Sequence, residues 1–235
     1  LRLARLADTY KESLIRDLHD GTLTGPTSTT EDSKAVQEIL ERNGLSRQIG
    51  CKNRVRAHEL ERIVQRTGTL YPKDIWSKLQ LLAVWTGGSA GAYLHQLKSY
   101  YGDIPVRDHG LSASEGRMTI PLADNTSAGL LDIGTHYFEF IPEEEHGQPQ
   151  PTVLEAHELN EGRNYYIILT TASGLYRYDI QDVVRCVGYL GTTPYLEFLH
   201  KGTQISSITG EKISESQVIS AVKWGFEQLG CPLEL

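Results

Sequence analysis

Three short clusters set small residues beside hydroxyls or carboxylates. "TGGSAG" at 86–91 follows an apolar run, with Gly87 and Gly88 where backbone can approach a flat ligand closely and Ser89 as a hydroxyl donor at a helix start. A strand-to-helix turn with an N-cap serine explains the same residues equally well. "LSASEG" at 111–116 puts Ser112, Ala113 and Ser114 directly before Glu115. Small residues let backbone N–H groups and the two serine hydroxyls reach phosphate oxygens, and a carboxylate beside them can hold a Mg²⁺ that bridges those oxygens. The alternative is a solvated turn with Glu115 in water. In "YRYDIQDVVRCVGYL" strand alternation breaks between Asp179 and Asp182, so the Asp182 carboxylate can face a cleft and accept hydrogen bonds from both hydroxyls of a ribose. Its competing assignment is an ion pair with Arg177 or Arg185.

The surrounding patterns say which elements carry these clusters. Leu3, Leu6, Tyr10, Leu14 and Leu18 recur at helical steps and predict one amphipathic helix over 2–19, ended by Gly21. Helical patterns return at 31–43 and at about 54–66. The run "LQLLAVW" reads as a strand buried on both faces, followed by a helix bearing Tyr93, Leu94, Leu97 and Tyr100 and by a second short strand in "DIPVRDHG". This βαβ unit predicts a parallel sheet with a right-handed crossover, and ligands of such sheets gather beyond the carboxyl ends of the strands. Both glycine-containing loops fall there. After Met118 the period becomes two through "HYFEFIP", "NYYIILTT", "LYRYDIQDVVRCVGYL" and "PYLEFLH", which predicts an antiparallel sheet or distorted barrel. A polar hinge is expected near 199–207, before the first helix of another domain.

Bulk composition narrows the function classes. With 235 residues, 39% of them hydrophobic, the chain can build one sizeable core. Its formal charge of -7 favours solubility and argues against nonspecific binding to nucleic acid or an anionic membrane. Cys51, Cys186 and Cys231 are far apart and in no metal-ligand spacing, as expected of reduced thiols in a cytoplasmic protein. The eight histidines show no ligand pairing and read as surface or packing residues. No secretory leader is evident and the longest apolar stretch is too short to span a bilayer. The chain starts within a helical pattern and stops at "CPLEL", so a longer protein is expected. Oligomeric state leaves no signal in the sequence.

Taken in order, "VWTGGSAGAYLHQLKSYYGDIPVRDHGLSASEG", "HYFEFIP", "YRYDIQDVVRCVGY" and "FLHKGTQISSITGEKISE" resemble the Gretchen Hagen acyl-acid amido synthetases. These are the auxin-responsive family and its bacterial relatives, within the adenylate-forming superfamily of acyl-CoA ligases and luciferases. The likeness covers nearly the whole chain and is most specific from Val84 to Glu215. It implies an α/β fold, the adenylate-forming large domain with a parallel βαβ sheet plus an antiparallel distorted β-barrel, and the start of a small C-terminal α+β domain. Residues 1–199 would form a partial N-terminal adenylation domain, with its α/β part at about 1–117 and its barrel at about 118–199. Residues 200–235 would be the hinge and the start of the cap.

The resemblance also implies an activity and a site. A small carboxylic acid would be activated with ATP and Mg²⁺ to an acyl adenylate, and the acyl group passed to the amine of an amino acid. Ser112, Ala113, Ser114 and Glu115 match the nucleotide loop, with Glu115 in the magnesium position. Gly88 and Ser89 match the loop beside the adenine, Tyr137 an aromatic near the nucleotide, and Asp182 the aspartate that holds the ribose. Lys201 stands at a basic position of the hinge and Lys212, in "TGEKISE", at a lysine beyond it; Glu115 and Lys212 would serve catalysis. A carboxylate nucleophile needs no general base, so cations and aligned donors should supply most of the rate. Transfer to coenzyme A or a carrier-protein thiol, and a catalytically silent module of the same fold, are the alternatives. Two residues depart from the pattern. Leu111 stands where the superfamily often has an aromatic to stack on adenine, and Gln181 where a glycine is usual, which would alter the turn carrying Asp182 if that glycine is needed for positive φ. The upstream Ser/Thr/Gly-rich phosphate loop is absent from this chain, so by itself it is expected to be inactive.

Overall fold

Apolar spacing and turn glycines divide the chain into helical and sheet-forming stretches. The computed structural model describes residues 1–22 and 51–202, with isolated positions at 38–42 and 205–228. Most of the helix predicted over 31–43, together with Lys212 and Cys231, lies outside the described residues. The fold divides into two units, residues 1–79 with 96–103 and residues 80–95 with 104–234. Among the described residues no helix is long and apolar enough to cross a membrane.

The first unit is helical. Where one helix was predicted over 2–19 there are two, α1 (Arg2–Thr9) and α2 (Lys11–Asp20). Tyr10 leaves helical geometry at φ -105° and ψ 19°. Just before it, Asp8 Oδ1 accepts from the Leu70 N–H at 2.8 Å and from Lys11 at 3.2 Å, which ties the end of α1 to a distant loop. Gly21 ends α2 in the left-handed region, as predicted. The helix α3 (Arg54–Thr67) opens on Asn53, whose side chain accepts from the Arg56 N–H, and closes at Gly68 with φ 76°. The short α4 (Pro72–Ile75) follows. Residues 96–103 add most of α5 (Leu94–Tyr101), whose Tyr100 hydroxyl and Gln96 amide oxygen accept from Arg5 at 2.9 Å each.

The second unit contains the sheets. The strands β1 (Leu82–Ala83) and β2 (Val106–Arg107) pair in parallel, with Leu82 opposite Val106, so the predicted βαβ order is present. However, β1 is two residues long and half-exposed rather than a strand buried on both faces. These two strands form a sheet of their own, with no further described strand to cover β1. Next comes a hairpin of β3 (Ser112–Ala113) and β4 (Gly116–Arg117). The strands β5 (Thr119–Ile120), β6 (Gly129–Leu131), β7 (Tyr137–Pro142), β8 (Leu154–Glu155), β9 (Asn164–Thr170), β10 (Tyr178–Leu190) and β11 (Thr193–Lys201) then build one antiparallel sheet. Its order is β5-β6-β11-β10-β9-β7-β8, with β5 and β8 at its ends.

Period-two patterning explains the core. Phe138 and Phe140 of β7, Tyr165, Ile167 and Leu169 of β9, and Val184 and Cys186 of β10 bury together with Leu196. Each large apolar side chain removed from water stabilises the unit by roughly 1.5–3 kcal/mol. Leu111 and Met118, on either side of the hairpin, are 6% and 0% exposed and anchor it to this core. Leu111 is therefore a packing residue, and its side chain is turned away from any role as a stacking platform.

Gly110 fixes where the hairpin starts. Its φ is +79°, and a Cβ there would overlap the Thr119 carbonyl oxygen, a backbone atom that cannot swing aside. Gly110→Ala should therefore lower unfolding stability by at least about 2 kcal/mol in urea titration. A variant as stable as the parent would show that the chain relaxes around this point.

Candidate functional site

Thr86 stands three residues beyond β1 and Asp108 directly after β2, and these residues are joined by hydrogen bonds. Asp108 is 3% exposed. Its Oδ2 accepts from the Thr86 N–H at 2.6 Å and from the Thr86 hydroxyl, and its Oδ1 accepts from the Gly110 N–H at 2.6 Å. One buried carboxylate thus connects the beginnings of the two glycine-containing loops. Sequence reasoning passed over it, although an aspartate just after a short strand and two residues before a glycine is an Asx-turn signal.

The "TGGSAG" loop forms a 3-10 turn, Gly88–Tyr93, rather than an N-capped helix. Gly87 holds the cap position, no side chain caps it, and Ser89 is exposed. Gly88 has φ +54°, and a Cβ there would stand 3.3 Å from the Phe198 ring. Glycine therefore brings this backbone down onto β11. In the second loop, Ser114 and Glu115 form the turn of the β3–β4 hairpin. Gly116 lies so near His136 that a Cβ would overlap the imidazole. Thr119 closes the base: its hydroxyl accepts from the Leu111 N–H at 2.8 Å, and Leu111 accepts from the Met118 and Thr119 N–H groups. Ser112 and Ser114 stay exposed and Glu115 half-buried.

The alternation break predicted in the third cluster is a β-bulge, with the β9 register shifting between Asp179 and Val183. Gln181 has φ 59°. The left-handed turn that glycine would favour therefore forms with glutamine in place. Asp179 Oδ1 accepts the Gln181 N–H at 2.7 Å, and the Gln181 carbonyl accepts the Gly202 N–H at 2.7 Å. Asp182 follows, 3% exposed, opposite Lys201 in register. Lys201 Nζ is 2.8 Å from Asp182 Oδ1, and it donates at 2.9 Å to the Ile180 carbonyl. The approach to Oδ1 is a close ion pair off the line of a well-aligned hydrogen bond, because the Lys201 ammonium is shared with the Ile180 carbonyl. Burial raises the Asp182 pKa, Lys201 pulls it back, and the Glu115 and Asp179 carboxylates add to the rise. Asp182 is thus within electrostatic reach of both Lys201 and Glu115. The alternative ion pairs are not formed. Arg177 pairs with Glu139 at 2.9 Å, and Arg185 donates to Asn164 Oδ1 at 3.0 Å.

Tyr137 is placed apart. It opens β7 on the face opposite Phe138 and Phe140, is 54% exposed, and its hydroxyl donates to Glu155 at 3.4 Å. The nearby Glu155 carboxylate raises its pKa. The β3–β4 hairpin meets the other face, where His136 packs edge-on against Phe138, so the Tyr137 ring is not brought to Glu115. Among the described residues no three His, Cys, Asp or Glu side chains form a metal cage. A single carboxylate such as Glu115 is the kind of protein ligand Mg²⁺ usually takes, alongside substrate phosphates and retained waters. A cleft of about 480 Å³ between α2 and α3, lined by Glu12, Arg16, His19 and His58, belongs to the other unit and shares none of these residues.

A two-stranded parallel sheet ending in two small-residue loops, beside an antiparallel sheet that presents a buried aspartate, is a recognisable architecture. The chain has the fold of the GH3.15 acyl acid amido synthetase, with a TM-score of 0.72 at 21% identity, covering 97% of this chain and 39% of that one. Residues 1–106 match the GH3 family N-terminal domain and residues 129–201 the GH3 family central domain. The chain belongs to the GH3 family. A rice (Oryza sativa subsp. japonica) jasmonoyl-L-amino acid synthetase, GH3.5, is 27% identical over 229 residues, 90% of this chain and 38% of that protein. The jasmonoyl-L-amino acid synthetase JAR4 of Nicotiana attenuata is 36% identical over 145 residues, 58% of this chain and 24% of its own. This chain therefore spans well under half the length of these relatives.

Two outcomes follow from the bulge. Gln181→Gly should leave stability within about 0.5 kcal/mol, because relief of positive φ is offset by a more flexible unfolded chain. Gln181→Val, with a branched side chain at the same φ, should cost about 1–2 kcal/mol. Asp182 supplies the second. Its folded pKa lies above the ordinary 3.8, so the unfolded state ionises first as pH rises. The cost of the buried charge is absent below the unfolded pKa and complete above the folded one. Asp182→Asn should therefore melt at a higher temperature than the parent at neutral pH, and the two should converge as pH falls to the unfolded value. A constant difference across that range would assign the effect to packing instead.

Proposed function

We propose that this chain forms most of the nucleotide-holding part of an ATP-dependent acyl-acid amido synthetase. The observation that carries the proposal is the buried Asp182 facing Lys201, with Glu115 of the hairpin turn in electrostatic reach. The GH3 membership and the amido synthetase names of the relatives support the same reading. The substrates are then ATP, a small carboxylic acid and an amino acid. An acid oxygen attacks the α-phosphorus of ATP, the new C(O)O–P bond forms as the bond to the β-phosphate oxygen breaks, and pyrophosphate leaves with that electron pair. The amino nitrogen next attacks the acyl carbon. A C–N bond forms, AMP departs with the acyl C–O electron pair, and the amine gives up a proton to solvent or a base.

Within this reading each residue has one task. Asp182 accepts the ribose hydroxyls, its carboxylate offering acceptors beyond the Oδ1 contact with Lys201. Lys201 neutralises that carboxylate and stands at the last position of β11, where the hinge begins. The exposed Ser112 and Ser114 hydroxyls and the backbone around Ala113 face the phosphates, and Gly88 and Ser89 lie along the base. Glu115 would hold Mg²⁺, whose charge screens the phosphate oxygens. The Tyr137 ring would have to swing round the start of β7 to meet the nucleotide. Lys212, beyond the hinge, is assigned the cation that a rotating cap brings to the reacting groups. Residues 1–199 are the adenylation domain in this scheme, and 200–235 the hinge and cap start. Its buried Cys186, a free thiol, suits a cytoplasmic setting.

The test is ATP–pyrophosphate exchange by the complete natural polypeptide over a panel of small acids, with AMP affinity measured by calorimetry. Asp182→Ala should weaken AMP binding by about tenfold or more, as expected for loss of a bidentate charged acceptor. Glu115→Gln should lower Mg²⁺-dependent exchange by a similar or larger factor while AMP binding stays near the parental value. Parental exchange rates in both variants would overturn the assignment. Amide products with amino acids support the synthetase, whereas thioesters would move it to the ligases.

A further inference from the structure

We infer that Asp108 is a positioning residue of the adenylation site, holding the adenine-side loop and the phosphate-side loop at a fixed separation. The inference rests on the proposed nucleotide reading and goes beyond it, because Asp108 belongs to neither loop. Its carboxylate is 3% exposed and has acceptors only. The donors are the Thr86 N–H at 2.6 Å and the Thr86 hydroxyl, both on Oδ2, and the Gly110 N–H at 2.6 Å on Oδ1. Thr86 immediately precedes Gly87 and Gly88, and Gly110 precedes Leu111 and Ser112 by one and two residues.

Little else ties these loops together at their base. Strands β1 and β2 pair over two residues each, with backbone bonds from Leu82 to Pro105 and from Val84 to Arg107. Beyond Val84 the bridge between the two chain segments is made by the Asp108 side chain. A short parallel pair is a weak clamp, whereas three short hydrogen bonds converge on the buried Asp108 side chain. On the far side each loop rests on a different support, Gly88 on Phe198 and Gly116 on His136. The distance between adenine and phosphate contacts is thereby set at Asp108, and small positioning errors in such sites cost large factors in rate. An asparagine would have to turn an NH₂ group toward either the Thr86 or the Gly110 N–H, leaving that donor facing a donor.

The experiment uses the complete natural polypeptide and measures exchange kinetics with ATP and acid varied separately, alongside melting temperature. Asp108→Asn should lower kcat/KM for ATP by about tenfold or more while the KM for the acid stays within about twofold. Thr86→Val, which removes one donor without changing shape, should lower it by roughly threefold to tenfold, and Thr86→Ser should restore it to within about twofold of the parent. Phe140→Leu, a core change in the same unit, serves as the control for general loosening. It should lower the melting temperature without moving the KM for ATP. Parental ATP kinetics in folded Asp108→Asn would overturn the inference, as would an equal ATP defect in Phe140→Leu. If Asp108→Asn does not fold, the Thr86→Val and Thr86→Ser pair decides, equal rates in the two counting against it. A parent protein that gives no ATP-dependent exchange with any acid would overturn the nucleotide reading itself, and this inference with it.

Discussion

The antiparallel pairing of β10 with β11 is the constraint on which the rest of the second unit depends. These are its two longest strands, and they occupy the middle of the seven-stranded sheet. A perfect ladder would send Asp179, Ile180, Gln181 and Asp182 alternately to the two faces. The bulge at Gln181 interrupts that alternation and sets Asp182 opposite Lys201. It is held from both sides: the Asp179 side chain bonds the Gln181 N–H, and the Gln181 carbonyl receives Gly202. Gly202 is itself required to be small, since a Cβ would overlap the Tyr166 phenol. Strand register and the placement of one buried carboxylate are therefore a single structural fact.

Much of this was legible in the sequence, for identifiable reasons. Period-two runs such as "HYFEFIP" and "NYYIILTT" report a sheet with one strongly apolar face, and Phe138, Phe140, Ile167 and Leu169 form that face. The break between Asp179 and Asp182 was visible as a failure of alternation, and a bulge stands there. Other features depend on long-range contacts that periodicity does not encode. "LQLLAVW" is apolar enough for a doubly buried strand, but only two residues find a partner. Ser89 had the right type for a cap, yet the backbone turns as a 3-10 segment to let Gly88 settle on Phe198. The split of the first helix at Tyr10 depends on Asp8 bonding to Leu70, more than sixty residues away.

The candidate site was legible to a different degree. Glu115 and Asp182 were singled out by residue type and neighbourhood, and the Glu115 charge contributes to the raised pKa of Asp182. The partner of Asp182 was misjudged because Arg177 and Arg185 are near it in sequence, whereas pairing in a sheet is set by register. Register places Lys201, nineteen positions along, directly across from it. Asp108 was overlooked because its role lies in joining two loops. A single aspartate in "RDHG" carries no motif, and its significance appears only when both Thr86 and Gly110 are seen to donate to it. Tyr137 shows the reverse case, since its position in "HYFEFIP" is distinctive while its ring lies on the opposite face from the hairpin.

The energetics of Asp182 fit a binding group better than a purely structural one. A buried carboxylate is costly unless it is paired and hydrogen-bonded. Lys201 provides charge 2.8 Å from Asp182 Oδ1, but its well-aligned hydrogen bond goes to the Ile180 carbonyl. A residue kept only for stability would gain from a neutral or fully bonded replacement. Asp108 meets that standard, with three donors on two oxygens, while Asp182, equally buried, relies on one lysine that it shares with a carbonyl. The two aspartates thus divide the work. One is saturated from within the protein and suited to hold backbone in place, and the other retains the acceptor capacity that the hydroxyls of a bound ribose would use.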